Sequence, residues 1–236
     1  MQESSQTIVW QPPPADLALD DAEVHVWLIE AADHLSDEVL SPAEISRAGK
    51  FHFERDRRLF VAAHVAVRKI LARYLNAPAA AIQFISGVNG KPALANHEVE
   101  FNLSHSHQAA LFAVSWRRAV GIDIESVKAD FTFDEVAERF FTPREVSALR
   151  ALPRALQRQA FYKCWTSKEA FLKAKGTGLS GKLDEVEISQ DNGGAVRVRA
   201  VVAGWSLREV DPSDGYEGAV VTEGPPARMS LYRWEG

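Results

Sequence analysis

Val120-Gly121-Ile122-Asp123-Ile124-Glu125 alternates without a break. On an extended strand Val120, Ile122 and Ile124 share one face, and Gly121, Asp123 and Glu125 share the other. Two carboxylates on one face stand about 7 Å apart at their roots. A hard cation such as Mg²⁺, which takes oxygen ligands and retains several waters, can sit between or beyond them. The plain alternative is a solvated strand face. Downstream, Trp165-Thr166-Ser167-Lys168-Glu169-Ala170-Phe171-Leu172-Lys173 has a helical period, with Phe161, Cys164, Trp165, Phe171 and Leu172 as its apolar stripe. Lys168 falls inside that stripe, where an ammonium must pair or snorkel. Glu169 and Lys173 lie at the margin, four residues apart. They form either a surface ion pair worth about 0.2–0.5 kcal/mol or, if the margin borders a cleft, a third carboxylate with an ammonium beside it. Three carboxylates and an ammonium suit a divalent metal and a phosphate ester.

Working outward, Pro12-Pro13-Pro14 closes an irregular leader over residues 1–20, and Val24 to Glu30 reads as the first strand. Ser41-Pro42-Ala43-Glu44 is a helix start with Ser as N-cap, Pro at the first helical position and Glu closing a capping box. A long helix follows through Phe60, Val61, His64, Val65, Ile70 and Leu71, ending near Tyr74 to Asn76. Ile82–Ile85 reads as a short strand and Gly87 to Pro92 as a turn, with strands around Phe101–Leu103 and Ala109–Ser115. Thr142-Pro143-Arg144-Glu145 then echoes Ser41-Pro42-Ala43-Glu44 at an offset of 101. The same offset lays the Trp165–Lys173 helix on His64–Ala72 and sets Arg68 opposite Glu169. Val120-x-Ile122-x-Ile124 matches Val24-x-Val26-x-Leu28, which sets Trp27 and Ile29 opposite Asp123 and Glu125. Strands over Val186–Ser189, Val196–Val202, Trp205–Val210 and Ala219–Thr222 follow, with Asp191-Asn192-Gly193-Gly194 as a hairpin turn. The expectation is two α+β subdomains of similar topology, 21–117 and 118–236, joined near Trp116–Ala119, with a site in the groove between them.

The chain of 236 residues can bury a proper core. Its 46% hydrophobic and 25% charged content is that of a soluble globular protein. A net charge of −5 and a pI near 5.8 argue against nucleic acid as a partner. The single cysteine, Cys164, suits a reducing compartment. Residues 1–20 lack a basic stretch followed by an apolar one, and no apolar run approaches membrane-spanning length. A cytoplasmic protein is expected.

Gly121 to Glu125, Trp165 to Lys173 and Gly176-Thr177-Gly178-Leu179-Ser180 together resemble the signature pair of the 4′-phosphopantetheinyl transferases. Phe140-Phe141-Thr142-Pro143-Arg144-Glu145 lies between them, where the family carries a similar element. Gly90-Lys91-Pro92 and Phe101-Asn102-Leu103-Ser104-His105-Ser106 resemble two further family motifs, so the likeness runs in order from about residue 40 to 180. The resemblance implies the fold of that family's longer type, two similar α+β subdomains in a pseudo-twofold arrangement, as an internally duplicated version of a short homo-oligomeric form. It implies transfer of the 4′-phosphopantetheine arm of coenzyme A to a serine of an apo acyl or peptidyl carrier protein, leaving adenosine 3′,5′-bisphosphate.

By the same resemblance Asp123, Glu125 and Glu169 are ligands of Mg²⁺, with Mn²⁺ as a substitute. Glu169, Lys173 and Asp123 are catalytic, with Glu169 as general base directly or through a water. Arg47, Lys91, Ser104, His105 and Lys173 bind coenzyme A. The residues themselves leave alternatives open: Ser104-His105-Ser106-His107 can be a polar turn, and Lys91 a hairpin lysine. Where some family members carry a second cation one helical turn before Arg47, this chain has Glu44, with Arg55, Arg57 and Arg58 as neighbouring substitutes. Arg139, Arg144, Arg150, Arg154 and Arg158 crowd one region, either as a docking face for an acidic carrier or as a solvated face. Because both halves lie in one chain, a monomer is expected. A Mg²⁺-dependent phosphohydrolase or nuclease, and an idle coenzyme A- or carrier-binding module, are the rival readings; the acidic pI and the lack of a basic stripe disfavour nucleic acid as the first one's substrate, and the intact Asp123, Glu169 and Lys173 disfavour the second.

Overall fold

The computed structural model describes residues 9–31, 36–95, 98–177, 188–191, 197–200 and 202–236. The first half runs β1 (Glu23–Glu30), α1 (Pro42–Ala48), α2 (Glu54–Leu75), the hairpin β2 (Phe84–Ser86) and β3 (Pro92–Leu94), then β4 (Val99–Ser106) and β5 (Ala109–Trp116). The second runs β6 (Val120–Ser126), α3 (Asp134–Phe140), α4 (Pro143–Ala151), α5 (Arg154–Lys175), the hairpin β7 (Ile188–Asp191) and β8 (Arg197–Ala200), then β9 (Trp205–Val210) and β10 (Tyr216–Glu223). The larger sheets have order β11-β1-β5-β4 and β6-β10-β9, where β11 is Arg228–Arg233. Strands β1-β5-β4 and β6-β10-β9 thus repeat one antiparallel pattern, each interrupted by helices and a small hairpin. This is an α+β fold of two similar units.

The strand alternation dictates the layers. Trp27 and Ile29 of β1 pack under Ala62, Ala63, Ala66 and Ile70 of α2. Val24, Val26 and Leu28 face the other way and meet Val120, Ile122, Ile124 and Val220, so the two sheets share a core. On the far side Ala219 and Val221 of β10 pack against Phe161, Ala170 and Phe171 of α5. The order is helix, sheet, sheet, helix.

Both expected capping boxes form, at Ser41–Glu44 and Thr142–Glu145. Each closing glutamate has a second task. Glu145 Oε2 pairs with Lys168 Nζ at 2.9 Å, with side chains 3% and 0% exposed. Glu44 Oε2 pairs with Arg68 Nη2 at 2.8 Å and accepts from its Nε at 2.9 Å. This resolves the oddity of Lys168: it is paired, and it also lies over the Phe141 ring. It also corrects the 101-residue offset along the long helices. Helices α2 and α5 begin at Glu54 and Arg154 and end at Leu75 and Lys175, an offset of 100. Arg68 is therefore the counterpart of Lys168, and Lys69 that of Glu169. The connection between the capping box and the long helix is one residue longer in the first half, which absorbs the slip.

Two elements exceed the sequence reading. Helix α3 forms ahead of the second capping box, and β11 leaves the 118–236 unit to pair in parallel with β1, Val26 opposite Leu231. The leader lies against β11: Gln11 N–H donates to Leu231 O and Gln11 O accepts from Arg233 N–H. The hairpin turn expected at Asp191–Gly194 lies outside the described residues beyond Asp191.

Removing one partner of a buried ion pair strands the other charge, at a cost of about 3–5 kcal/mol. Lys168→Met should lower stability by that amount in urea titration, and so should Arg68→Met, since the two pairs are counterparts. A loss below about 1 kcal/mol at both would show that neither pair is needed.

Candidate active site

Strand β6 presents Gly121, Asp123 and Glu125 to α5. Glycine is required at 121: a Cβ there would fall 2.0 Å from Ala170 O and 2.3 Å from Ala174 N. That approach brings Asp123 against the last turns of α5. Lys173 Nζ donates to Asp123 Oδ1 at 2.5 Å and to Ser104 Oγ at 2.8 Å, and Ser104 Oγ donates to Asp123 Oδ1 at 2.8 Å. The serine comes from β4, whose side chains run along the open edge of β6. Asn102 Oδ1 accepts from Ile122 N–H at 2.8 Å, and Ser106 Oγ donates to Glu125 Oε2 at 2.9 Å and accepts from Ser126 N–H. Asn102, Ser104 and Ser106 are spaced by two, so one polar face of β4 serves the seam while Phe101 enters the core under α2. Asn102 and Ser106 are functional neighbours that the sequence reading left unassigned; their alternation with Phe101 and Leu103 is the signal that could have found them.

The electrostatics are those of crowded, buried acids. Asp123 is 4% exposed, and burial pushes its pKa up against the pull of Lys173 and Ser104. Burial, then the Asp123 charge, raises Glu125. Glu169 is raised to about 6 by burial and by Asp123, opposed by Lys173. The three carboxylates therefore feel one another across β6 and α5. Asp123 Oδ2 and Glu169 Oε1 are buried oxygens without a hydrogen-bond partner among the described residues. Among the described residues no three His, Cys, Asp or Glu side chains stand ready-made around one point, and Lys173 engages Asp123 Oδ1. The donor chemistry nonetheless fits a small hard cation: three carboxylates in electrostatic reach, two of them with unpartnered oxygens.

The first half brings Arg47 and His105 within electrostatic reach of this group. Exposed His105 has its pKa lowered by desolvation, then by Lys173 and Arg47. Arg47 lies over the Phe60 ring, which also stacks on His64, whose pKa is lowered by desolvation first, with Arg47 and His105 adding to the fall. His105 is thus within electrostatic reach of both Arg47 and Lys173. Lys91 is placed differently: its Nζ donates to Val120 O at 2.8 Å, and desolvation lowers its pKa. Glu44, where a second cation was sought, is engaged by Arg68, while Arg57 and Arg58 share Glu54 and Arg55 meets Asp56.

Four of the crowded arginines, Arg139, Arg150, Arg154 and Arg158, have internal partners. Arg150 pairs with Glu138, Arg154 with Asp134, and Arg158 donates to the carbonyls of Lys128 and Ala129 just beyond β6. Arg139 lies over the Phe140 ring. Reversing Arg158 would therefore disturb the loop after Glu125 as well as any docking face.

A family model described as the 4′-phosphopantetheinyl transferase superfamily matches residues 119–221, and one described as 4′-phosphopantetheinyl transferase, N-terminal, matches residues 30–117. The 4′-phosphopantetheinyl transferase HetI of Nostoc sp. strain PCC 7120 is 38% identical over 224 residues, covering 91% of this chain and 94% of HetI. The 4′-phosphopantetheinyl transferase Sfp of Bacillus subtilis is 30% identical over 201 residues, covering 83% of this chain and 88% of Sfp. The solved holo-[acyl-carrier-protein] synthase of Thermotoga maritima overlaps 45% of this chain and 62% of its own, at 26% identity and a TM-score of 0.36.

Glu169 has a folded pKa of about 6, above its ordinary value of 4.5. A raised carboxyl pKa means the folded state holds the proton more tightly, so stability falls as pH rises through that window and the charge is a liability above it. Glu169→Gln removes the liability. In metal-free protein it should raise the melting temperature by a few degrees at pH 7.5, and the gain should vanish near pH 4.5. A lower melting temperature at pH 7.5 would contradict this placement of Glu169.

Proposed function

The chain belongs to the 4′-phosphopantetheinyl transferase superfamily, and from that membership we propose that the cleft between its halves moves the 4′-phosphopantetheine arm of coenzyme A onto a serine hydroxyl of an apo acyl or peptidyl carrier protein. The observation that carries the site assignment is the pair of buried, unpartnered oxygens, Asp123 Oδ2 and Glu169 Oε1, beside Lys173. Unpaired buried acceptors are costly, and a cation held by both would offset that cost.

Asp123, Glu125 and Glu169 would hold Mg²⁺, or Mn²⁺ in its place, which when bound supplies charge neutralisation for the pyrophosphate. The other parts belong to the chain. Arg47 and His105 stand where they can hold the 3′-phosphate of coenzyme A. Ser104 and Lys173, hydrogen-bonded to each other beside Asp123, would meet the pyrophosphate together, Lys173 with its remaining proton. The serine oxygen of the carrier attacks the pantetheine-bearing phosphorus, and its proton passes to Glu169, directly or through a water. The bond to the bridging oxygen breaks, and adenosine 3′,5′-bisphosphate leaves with that electron pair. Lys173 meets the charge growing on the leaving phosphate. The covalent chemistry is small, so the protein's contribution is position and charge.

The first half has no such acids. Trp27 and Ile29 stand where β6 has Asp123 and Glu125, and both lie in the apolar core under α2. We place one site in each chain, complete without a partner subunit, in a cytoplasmic monomer; no described helix is long and apolar enough to cross a membrane.

The test is to mix the protein with Mg²⁺, coenzyme A and an apo carrier protein and to weigh the carrier. It should gain one phosphopantetheine, and only with a divalent metal present. Asp123→Ala and Glu169→Gln should each remove most of the activity, since each deletes an anionic ligand from a site of three. Near-normal turnover by Glu169→Gln would show that the base lies elsewhere.

A further inference from the structure

The turn between β2 and β3 belongs to the first half, yet its side chains hold the second. Asn89 Nδ2 donates to Gly176 O at 2.7 Å, and Lys91 Nζ to Val120 O at 2.8 Å. Gly176 closes α5 just beyond Lys173, and Val120 opens β6 just before Asp123. One turn therefore grips both elements that carry the acids and the ammonium of the cleft. It is a stiff turn. Gly87 N–H donates to Lys91 O at 2.8 Å and Gly90 N–H to Gly87 O at 3.1 Å. Asn89 is left-handed at φ 51°, a conformation that Asn tolerates better than most residues. A Cβ on Gly87 would come within 2.7 Å of Lys91 O, so the loop closes on itself with no slack.

We propose that Asn89, acting with Lys91, is a positioning residue that helps set the span between Arg47 and His105 of the first half and the Asp123–Lys173 pair of the second. The proposal rests on the transferase reading. A donor held at its nucleotide phosphate and cleaved at its pyrophosphate needs those two grips at a set separation. Binding energy from the remote phosphate then serves alignment at the reacting phosphorus. Without the clasp each grip still works and the β4–β6 seam still joins them, but α5 and the start of β6 are held less tightly to the first half, so the first grip aligns the second less well. Asn89 itself touches no substrate atom in this scheme.

The prediction concerns a ratio rather than a rate. Wild type and Asn89→Gly are compared with coenzyme A and with 3′-dephospho-coenzyme A, using an apo acyl carrier protein as acceptor. Glycine keeps the left-handed turn and deletes only the amide donor. With coenzyme A, kcat/KM should fall about two- to tenfold, the range of one hydrogen bond. With the dephospho donor it should change by less than about twofold, so the advantage conferred by the 3′-phosphate shrinks. Asn89→Asp, which keeps the side-chain shape but sets a carboxylate against the Gly176 carbonyl, should shrink it at least as much, and melting curves establish that both variants are folded. An equal fall with both donors, or no fall with either, would return Asn89 to an ordinary turn residue. A wild-type protein that transferred nothing from coenzyme A would overturn the transferase reading and this proposal with it.

Discussion

The contact on which the site depends is backbone against backbone, where β6 lies on α5 at Gly121. No side chain fits between strand and helix there, since a Cβ would overlap Ala170 O and Ala174 N. Every later residue on that face of β6 inherits the closeness. Asp123 lands on Lys173, and Glu125 lies in the electrostatic field of Asp123 and Lys173. An alanine at 121 would leave the chemistry-bearing residues in the sequence and move them apart in space. The requirement for glycine is therefore a matter of distance, not of backbone freedom, and it explains why a residue with no functional group sits in the middle of the functional stretch.

A second constraint sets the rotation of α5. Lys168 points into the core beneath α4 and pairs with Glu145, while Glu169, the next residue, is turned by one helical step toward β6. The first half uses the same device at Glu44 and Arg68. Its presence in both halves marks it as a property of the repeated fold, on which only the second half has built an acidic cluster. The repeat conserves the scaffold, the capping boxes and the buried pairs, and diverges at the positions facing the cleft.

What could be read from the sequence was local. The capping boxes at Ser41 and Thr142, the alternation of β1 and β6, and the helical stripe of α5 all follow from spacings of two to four residues, and all stand in the structure. What could not be read depends on tertiary partners. The parallel pairing of β11 with β1 joins strands about 200 residues apart, and nothing in Arg228–Arg233 names its neighbour. The one-residue slip between the long helices is invisible to a fixed offset until Glu44–Arg68 and Glu145–Lys168 are seen to be counterparts. Lys91 was legible as a cation in a turn but not as a donor to Val120 O, because its partner belongs to the other half. Ser104 was read as a phosphate donor, and the structure adds its bonds to Asp123 and Lys173.

One cleft built from two unlike halves is the central claim: cations from the first, carboxylates and an ammonium from the second, joined by the seam of β4 on β6 and the turn at Asn89. Its most direct test is the stoichiometry of coenzyme A binding by titration calorimetry in the presence of Mg²⁺, with the chain's mass in solution measured alongside. The account requires one coenzyme A per chain, bound by a monomer. Two per chain would mean that the first half holds a site of its own, and one per two chains would mean that the cleft is completed by a partner; either result would contradict it.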